Sequence, residues 1–465
     1  MYPIVLLSVF GIASLFLGFS KSKNILLPSI LLFLALALGG TFIDWNQGEL
    51  LYFYDMLRVN NLTMAFSGIV LISAFMIVAI SGGFQDNSDA EPGEYYGLML
   101  FSLVGALMMI GFEHLIMLFI GVEILSVAMY VLTGSNKRNL RSNEAALKYF
   151  LMGAFATGFI LFGIALLYGA TGSFNLVQIQ SFVLTSHAAT PSYILYAGLL
   201  LLLIGLLFKV SAAPFHFWTP DVYEGAPTIF TAFMSTVVKT AGFATIYRLL
   251  DHSFTGIYSY WWIVIAAITV LTLMVGNIGA TSQTSFKRML AYSGISHAGY
   301  MLIAITALSK PSENAIVFYS LAYSLATICA FAVLMLVSKQ NTLEGQPDER
   351  YDAFNGLAKN NPLLAFVLTV SMLSLAGIPL TAGFWGKFMI FTSAADRGII
   401  WITVLAVLMS TVGIYYYFRV IIASYLKEGN TAKIRIAPFY QIILVLATFL
   451  TLLFGLAPGL LEGII

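Results

Sequence analysis

Apolar residues run through this chain in long blocks separated by short polar punctuation, and fourteen of those blocks are long enough to cross a bilayer as helices. A crossing helix needs about 20 predominantly apolar residues. The blocks fall near 3–20, 25–43, 58–80, 95–111, 113–133, 145–170, 192–212, 227–250, 258–280, 289–308, 313–337, 362–391, 399–424 and 437–459. The stretch 95–133 is too long for one crossing and divides at Gly111-Phe112-Glu113-His114, which reads as a short polar turn. The N-terminus is apolar almost from Met1, with no cationic lead and no small-residue cleavage site, so the first block reads as a spanning helix rather than a signal peptide. The expected fold is an all-α integral membrane protein of about fourteen transmembrane helices.

Two blocks carry helix breakers. In the seventh, Lys209 is followed by Pro214, which lacks an N–H and clashes with the carbonyl of Val210, so the helix should break there. In the twelfth, Gly377, Pro379, Gly383 and Gly386 crowd the approach to Lys387, which suits two half-helices joined by an unwound stretch. An interrupted, lysine-bearing helix in each half of a chain points to inverted-repeat transport machinery. Lys209 and Lys387 lie 178 residues apart, and Glu123 and His297 lie 174 apart, so the fifth block corresponds to the tenth and the seventh to the twelfth. The expected organisation is three leading helices in 1–80, a five-helix unit in 95–250, a second in 258–424 and a last helix in 437–465. Five is odd, so consecutive units sit inverted in the membrane.

Composition agrees with a membrane protein. The chain of 465 residues is 60% hydrophobic and only 9% charged, with a mean hydropathy of +0.91, against about 25% charge in soluble domains. A net charge of +1 gives no basic footprint for nucleic acid. The single cysteine, Cys329, excludes an intrachain disulfide and a cysteine-clustered metal site. Lys and Arg concentrate in the odd-numbered loops, at Lys137, Arg138, Arg141, Lys287, Arg288, Lys427, Lys433 and Arg435 among others, against Arg58, Arg248, Lys310 and Arg397 at the opposite ends. That asymmetry puts the odd loops, with the acidic segment Asp86–Glu94, in the cytoplasm and both termini outside.

The chemistry rests on a few ionisable residues inside apolar blocks. An ammonium at mid-membrane costs about 2.5–3.5 kcal/mol even on the lenient insertion scale, yet Lys209, Lys239 and Lys387 occupy such positions, with Glu123 in the fifth block and His297 in the tenth. A path Glu123–Lys209–Lys239–His297–Lys387, bridged by water, would carry protons across the middle of the protein, with Glu123 and Lys209 expected to pair. Fixed ion pairs are the plainer alternative. Lysine suits a relay better than arginine, which stays charged, and histidine titrates near neutrality. His216, in the aromatic run Phe215-His216-Phe217-Trp218, is a candidate gate or part of an interfacial belt, while His114, His187 and His252 read as surface or packing residues. No Gly-x-Gly-x-x-Gly fingerprint, P-loop, His-Glu-x-x-His or Cys-x-x-Cys is present, so nothing here is expected to hold a nucleotide, a flavin or a cluster.

The run Gly205-Leu-Leu-Phe-Lys209-Val-Ser-Ala-Ala-Pro214-Phe-His216-Phe-Trp218-Thr-Pro220-Asp221-Val-Tyr-Glu224-Gly-Ala-Pro227 resembles the signature of the antiporter-like membrane subunits of respiratory complex I, and Leu375-Ala-Gly377-Ile-Pro379-Leu-Thr-Ala-Gly383-Phe-Trp-Gly386-Lys387-Phe is similar to their second broken helix. The resemblance covers essentially the whole chain. It implies fourteen helices with two inverted five-helix units, and proton-translocation roles for Glu123, Lys209, Lys239, His297 and Lys387. It further implies no cofactor on this chain, flavin and iron–sulfur clusters in partner subunits, neighbours that include antiporter-like subunit M and small membrane subunits, contact with lipids, no nucleic acid, and residence in a bacterial inner membrane. Subunit M typically has a glutamate where Lys387 stands, and subunit L continues into a lateral helix beyond the equivalent of Ile465, so the chain is most similar to the third antiporter-like member. Leu380 departs from the family wording, in which a second proline commonly follows Pro379. A multi-subunit cation/proton antiporter shares these helices and is the alternative. Copurification separates the two: partners carrying flavin and iron–sulfur clusters are expected, and small membrane partners without redox centres would point to the antiporter.

Overall fold

The computed structural model describes residues 1–19, 23–83, 92–186, 193–343, 346–429 and 432–461; most of the acidic segment 86–94, Lys21 and His187 lie outside the described residues. The helices in chain order are α1 (Tyr2–Gly18), α2 (Leu26–Ile43), α3 (Asn61–Ala79), α4 (Pro92–Gly111), α5 (Leu115–Thr133), α6 (Leu140–Thr171), α7 (Leu176–Ser186), α8 (Tyr193–Lys209), α9 (Trp218–Gly225), α10 (Thr228–Phe233), α11 (Lys239–Ser253), α12 (Tyr258–Thr281), α13 (Phe286–Ala307), α14 (Ser312–Gln340), α15 (Leu357–Asn360), α16 (Pro362–Ala376), α17 (Ala382–Asp396), α18 (Ile400–Tyr425) and α19 (Pro438–Leu456). A π-helical turn, Met234–Val238, joins α10 to α11 into one rod. Each of the fourteen apolar blocks holds a helix or a broken pair, and ten described helices are long and apolar enough to cross a membrane by length and composition. Strand is limited to two short hairpins among the described residues, Leu50–Tyr52 with Leu57–Val59 and Thr342–Leu343 with Gln346–Pro347.

Both interruptions fall beside the breakers. Helix α8 ends at Lys209 and α9 begins at Trp218, with Pro214 between them; α16 ends at Ala376 and α17 begins at Ala382, across Gly377 and Pro379. Gly383 lies inside α17 rather than in the break. It is glycine because a Cβ there would collide with the backbone carbonyl of Ser374 on α16, and its N–H donates to Ser374 Oγ at 3.1 Å. Lys387 likewise sits well inside α17.

Two features depart from the sequence reading. Helix α7 fills the link between α6 and α8, burying Leu176, Ile179 and Val183 at helical spacing; the run is short and broken by Gln178 and Gln180, so it lacks the length of a span. The turn at Glu113 is not a solvated one. Glu113 is 1% exposed, and its carboxylate meets Arg58 at 2.9 Å and Arg248 at 3.5 Å, with His252 Nε2 at 3.8 Å. Backbone bridges from Phe112 to Leu57 and from His114 to Asn175 close the same junction. The knot ties the first hairpin, the α4–α5 turn and the end of α11 together. Its tetrad was hidden because the four residues come from three distant parts of the chain.

Removing one member of a buried ion pair costs about 3–5 kcal/mol, since the remaining charge is left unpaired. Glu113→Ala leaves Arg248 without its carboxylate and Arg58 with Glu49 alone, and the purified protein carrying it should lose thermal stability by that order; an unchanged melting midpoint would show that the knot is not a tie.

Candidate functional site

The first cluster forms at the end of α8. Lys209 is 2% exposed, and its ammonium donates to Ser126 Oγ at 2.7 Å and Tyr130 OH at 3.4 Å, both on α5. As the last residue of α8 it also lies at the carbonyl end of that helix, where a cation is favoured. The break is held by neighbours: the Phe208 carbonyl accepts from the Ser211 N–H at 3.1 Å and from the Trp218 indole at 3.0 Å, and the Ala213 N–H donates to Thr272 Oγ1 at 2.9 Å. Trp218 stacks on Tyr149 with centroids 4.7 Å apart, and Tyr130 meets Tyr149 edge-on. In the aromatic run after the break, Trp218 and His216 are buried, Phe215 is half-buried and Phe217 alone is strongly exposed. His216 is 8% exposed.

Glu123 lies at the edge of this cluster without a direct bond to Lys209 among the described residues. It is close enough to act electrostatically on Lys209 and Tyr130, yet it makes no ion pair among the described residues. The helical period explains why. Ile116, Ile120, Val127 and Val131 form the exposed stripe of α5, and half-buried Glu123 sits on it, while Ser126 and Tyr130 face inward. Serine and tyrosine hydroxyls take the place assigned to the carboxylate.

The second cluster gathers Lys239, His297 and Lys387, which are 1%, 2% and 5% exposed. Lys239 follows the π turn directly, and its ammonium donates to the Gly294 carbonyl at 2.5 Å. Such turns, rare in α-helices, are frequent at functional sites. His297 Nδ1 lies 2.6 Å from Tyr319 OH and Nε2 lies 3.0 Å from Tyr417 OH. Lys387 reaches back across the second break to the Ala376 carbonyl at 2.9 Å and to Ser410 Oγ at 2.8 Å, with the Tyr300 ring centroid at 4.6 Å. Gly377 ends α16 at φ +82, and its N–H reaches Leu373 and Ser374, a turn that a side chain would strain. Leu380, which stands where the family wording commonly has a second proline, has φ +74, a value proline cannot adopt. Lys239 and Lys387 both act electrostatically on His297. The five residues thus form two groups, Glu123 with Lys209 and Lys239 with His297 and Lys387; no direct bond joins them among the described residues.

At the lysine-rich end, α9 is pinned to both halves. Arg288 of α13 donates to Asp221 at 2.9 Å and Glu224 at 2.7 Å, and Lys148 of α6 meets Asp221 at 2.8 Å. Burial pushes the Asp221 carboxyl up, but these two cations outweigh it and hold it below the usual range. Beside it a cavity of about 350 Å³ is lined by Arg141, Glu224, Thr228, Lys287 and Glu349, with Lys287 and Glu349 paired at 3.0 Å. Among the described residues no three His, Cys, Asp or Glu side chains converge as a metal group. Sequence reasoning missed Ser126, Tyr130, Tyr319, Tyr417 and Ser410. Tyrosine and serine are ordinary in apolar helices, and only the fold reveals which of them meet a lysine or histidine.

The family described as NADH:quinone oxidoreductase/Mrp antiporter, TM, matches residues 113–413. NADH-quinone oxidoreductase subunit N of Cytophaga hutchinsonii is 42% identical, over 100% of this chain and 99% of its own. A chain of respiratory complex I from Thermus thermophilus with bound Aureothin superposes with a TM-score of 0.84 at 36% identity, covering 99% of this chain and 98% of that one. A chain of the Mrp complex from Dietzia sp. DQ12-45-1b reaches 0.86 at 19% identity, over 100% and 96%, and shares the fold. The chain belongs to the NADH:quinone oxidoreductase/Mrp antiporter family and, within it, to the subunit N group of NADH-quinone oxidoreductases.

Proposed function

We propose that this chain is a proton-translocating membrane subunit of an NADH-quinone oxidoreductase, moving protons along its buried lysine and histidine residues while quinone reduction takes place in other subunits. The observation that carries the reading is the company of the three lysines. Lys209, Lys239 and Lys387 are buried, and the hydrogen bonds of their ammonium groups go to hydroxyls and backbone carbonyls, with no carboxylate in any of them. A fixed structural tie would neutralise each charge with a carboxylate, as Glu113 and Asp221 do for the arginines near them. An amine bonded to neutral groups can give up its proton without stranding an anion, which is what a carrier needs. The helix breaks at Pro214 and at Gly377–Pro379 free the backbone near Lys209 and Lys387, and His216 is the candidate gate beside the first.

Glu123 enters this reading from outside. A carboxylate on an outward apolar stripe is costly against lipid, so the Glu123 face of α5 is read as covered by another membrane subunit of the complex. The remaining apolar faces contact lipid. Flavin and iron–sulfur clusters belong, on this reading, to partner subunits, and the membrane is the bacterial inner membrane with both termini on its outer side. The full-length relationship to subunit N favours the oxidoreductase over a cation/proton antiporter, with which the likeness is one of fold.

Methionine approximates lysine in volume without a proton-carrying amine, and removing a buried charge need not harm the bundle. Lys209→Met, Lys239→Met and Lys387→Met complexes should assemble but move fewer protons per NADH oxidised, or turn over more slowly if redox and pumping are tightly coupled. Arginine at 239 or 387 should fail too, because it does not deprotonate. Proton uptake and quinone reduction in vesicles at equal complex content measure both. Wild-type ratios in all three methionine variants would leave the lysines as structural residues.

A further inference from the structure

The hydroxyls around His297 form more than a cage. Tyr319 OH and Tyr417 OH occupy the two ring nitrogens at 2.6 and 3.0 Å, and Tyr417 OH is bonded in turn to Ser293 Oγ. The two tyrosines are 1% exposed, as is Ser293. The row leads from one lysine toward the other. Ser293 adjoins Gly294, whose carbonyl holds the Lys239 ammonium, and the Tyr319 ring lies against Gly386, the neighbour of Lys387. A neutral imidazole donates through one nitrogen and accepts at the other, and each hydroxyl likewise donates once while accepting. All four groups can therefore point the same way along the row.

We propose that Tyr417 and Tyr319 are proton-relay residues that pass a proton through His297 by exchanging its tautomer, a proposal that rests on the translocation reading above and assigns the step between Lys239 and Lys387. A proton reaching Ser293 Oγ from the Lys239 side displaces the hydroxyl proton of Ser293 onto Tyr417. The Tyr417 proton moves to Nε2, the Nδ1 proton moves to Tyr319, and the original Tyr319 proton leaves toward Lys387. One O–H or N–H bond forms and one breaks at each group, and none is left charged. Every hydrogen bond in the row is then reversed and the imidazole is in its other tautomer. A second proton cannot follow in the same direction until the row is reset. The ring is hemmed in by Tyr300, Tyr319 and Tyr323, with centroids at 5.9, 5.8 and 4.8 Å, so it does not turn freely. The row thus passes one proton per reset.

The test uses the whole complex in vesicles with Tyr319→Phe, Tyr417→Phe, the double variant and Lys239→Met. Phenylalanine keeps the ring and removes only the hydroxyl. Each single variant should lower the proton-to-electron ratio, or slow NADH oxidation where coupling is tight, and the double variant should fall no further, because a row cut once is already cut. Losses that add in the double variant would mark the hydroxyls as packing groups and overturn the relay. Wild-type ratios in all three tyrosine variants, with Lys239→Met impaired, would also overturn the relay while leaving the lysine axis standing. A wild-type ratio in Lys239→Met as well would remove both.

Discussion

An ammonium buried among apolar helices must find its solvation inside the protein, and most of this architecture answers that requirement. Lys209 is served by two hydroxyls of α5, Lys387 by the carbonyl end of α16 and a serine of α18, and Lys239 by a carbonyl of α13. Two of the three lie beside a helix break, where backbone carbonyls are released from the i→i−4 ladder. The third directly follows the π turn. Breaking a helix in an apolar medium strands polar groups at several kcal/mol each unless they are bonded, and the Trp218 indole and Thr272 hydroxyl take up those at the first break.

The same requirement separates two kinds of charge in the protein. At the ends, arginines meet carboxylates: Arg58 and Arg248 with Glu113, Arg288 with Asp221 and Glu224. These fix helices to one another and leave little freedom to titrate. In the middle, lysines and a histidine meet hydroxyls and carbonyls. The division follows from side-chain chemistry, since guanidinium forms directional pairs and stays charged, whereas an amine can alternate between two protonation states. A rigid frame of paired charges thus encloses an interior of unpaired ones.

Much of this was legible in the residues. Fourteen apolar blocks, the breaks beside Lys209 and Lys387, and the identity of the buried lysines could be read because each is a local departure from an apolar background. The rotation of α5 was not legible. Its residues are apolar almost all round, so nothing in the pattern told which way Glu123 points, and the direct hydrogen bonds of Lys209 go to Ser126 and Tyr130 while Glu123 acts on it only electrostatically. The Glu113 knot and the tyrosines around His297 were hidden for a related reason. They are assembled through contacts between residues 22 to 139 positions apart, whose polarity is unremarkable until the fold brings them together. Helix α7 was missed because a short amphipathic turn carries too few apolar positions to register as a span.

The central claim is that a titrating amine, rather than a fixed cation, is needed at these buried positions, and replacing Lys239 with histidine tests it most directly. Histidine keeps a proton carrier but has an intrinsic pKa about four units lower than lysine. The measurement is the pH profile of proton translocation by the Lys239→His complex in vesicles, beside the wild type. The account predicts that translocation persists and that its alkaline limb moves to lower pH, because the substituted group loses its proton sooner as pH rises. A profile that superposes on the wild type would mean that protonation at position 239 takes no part in the transfer.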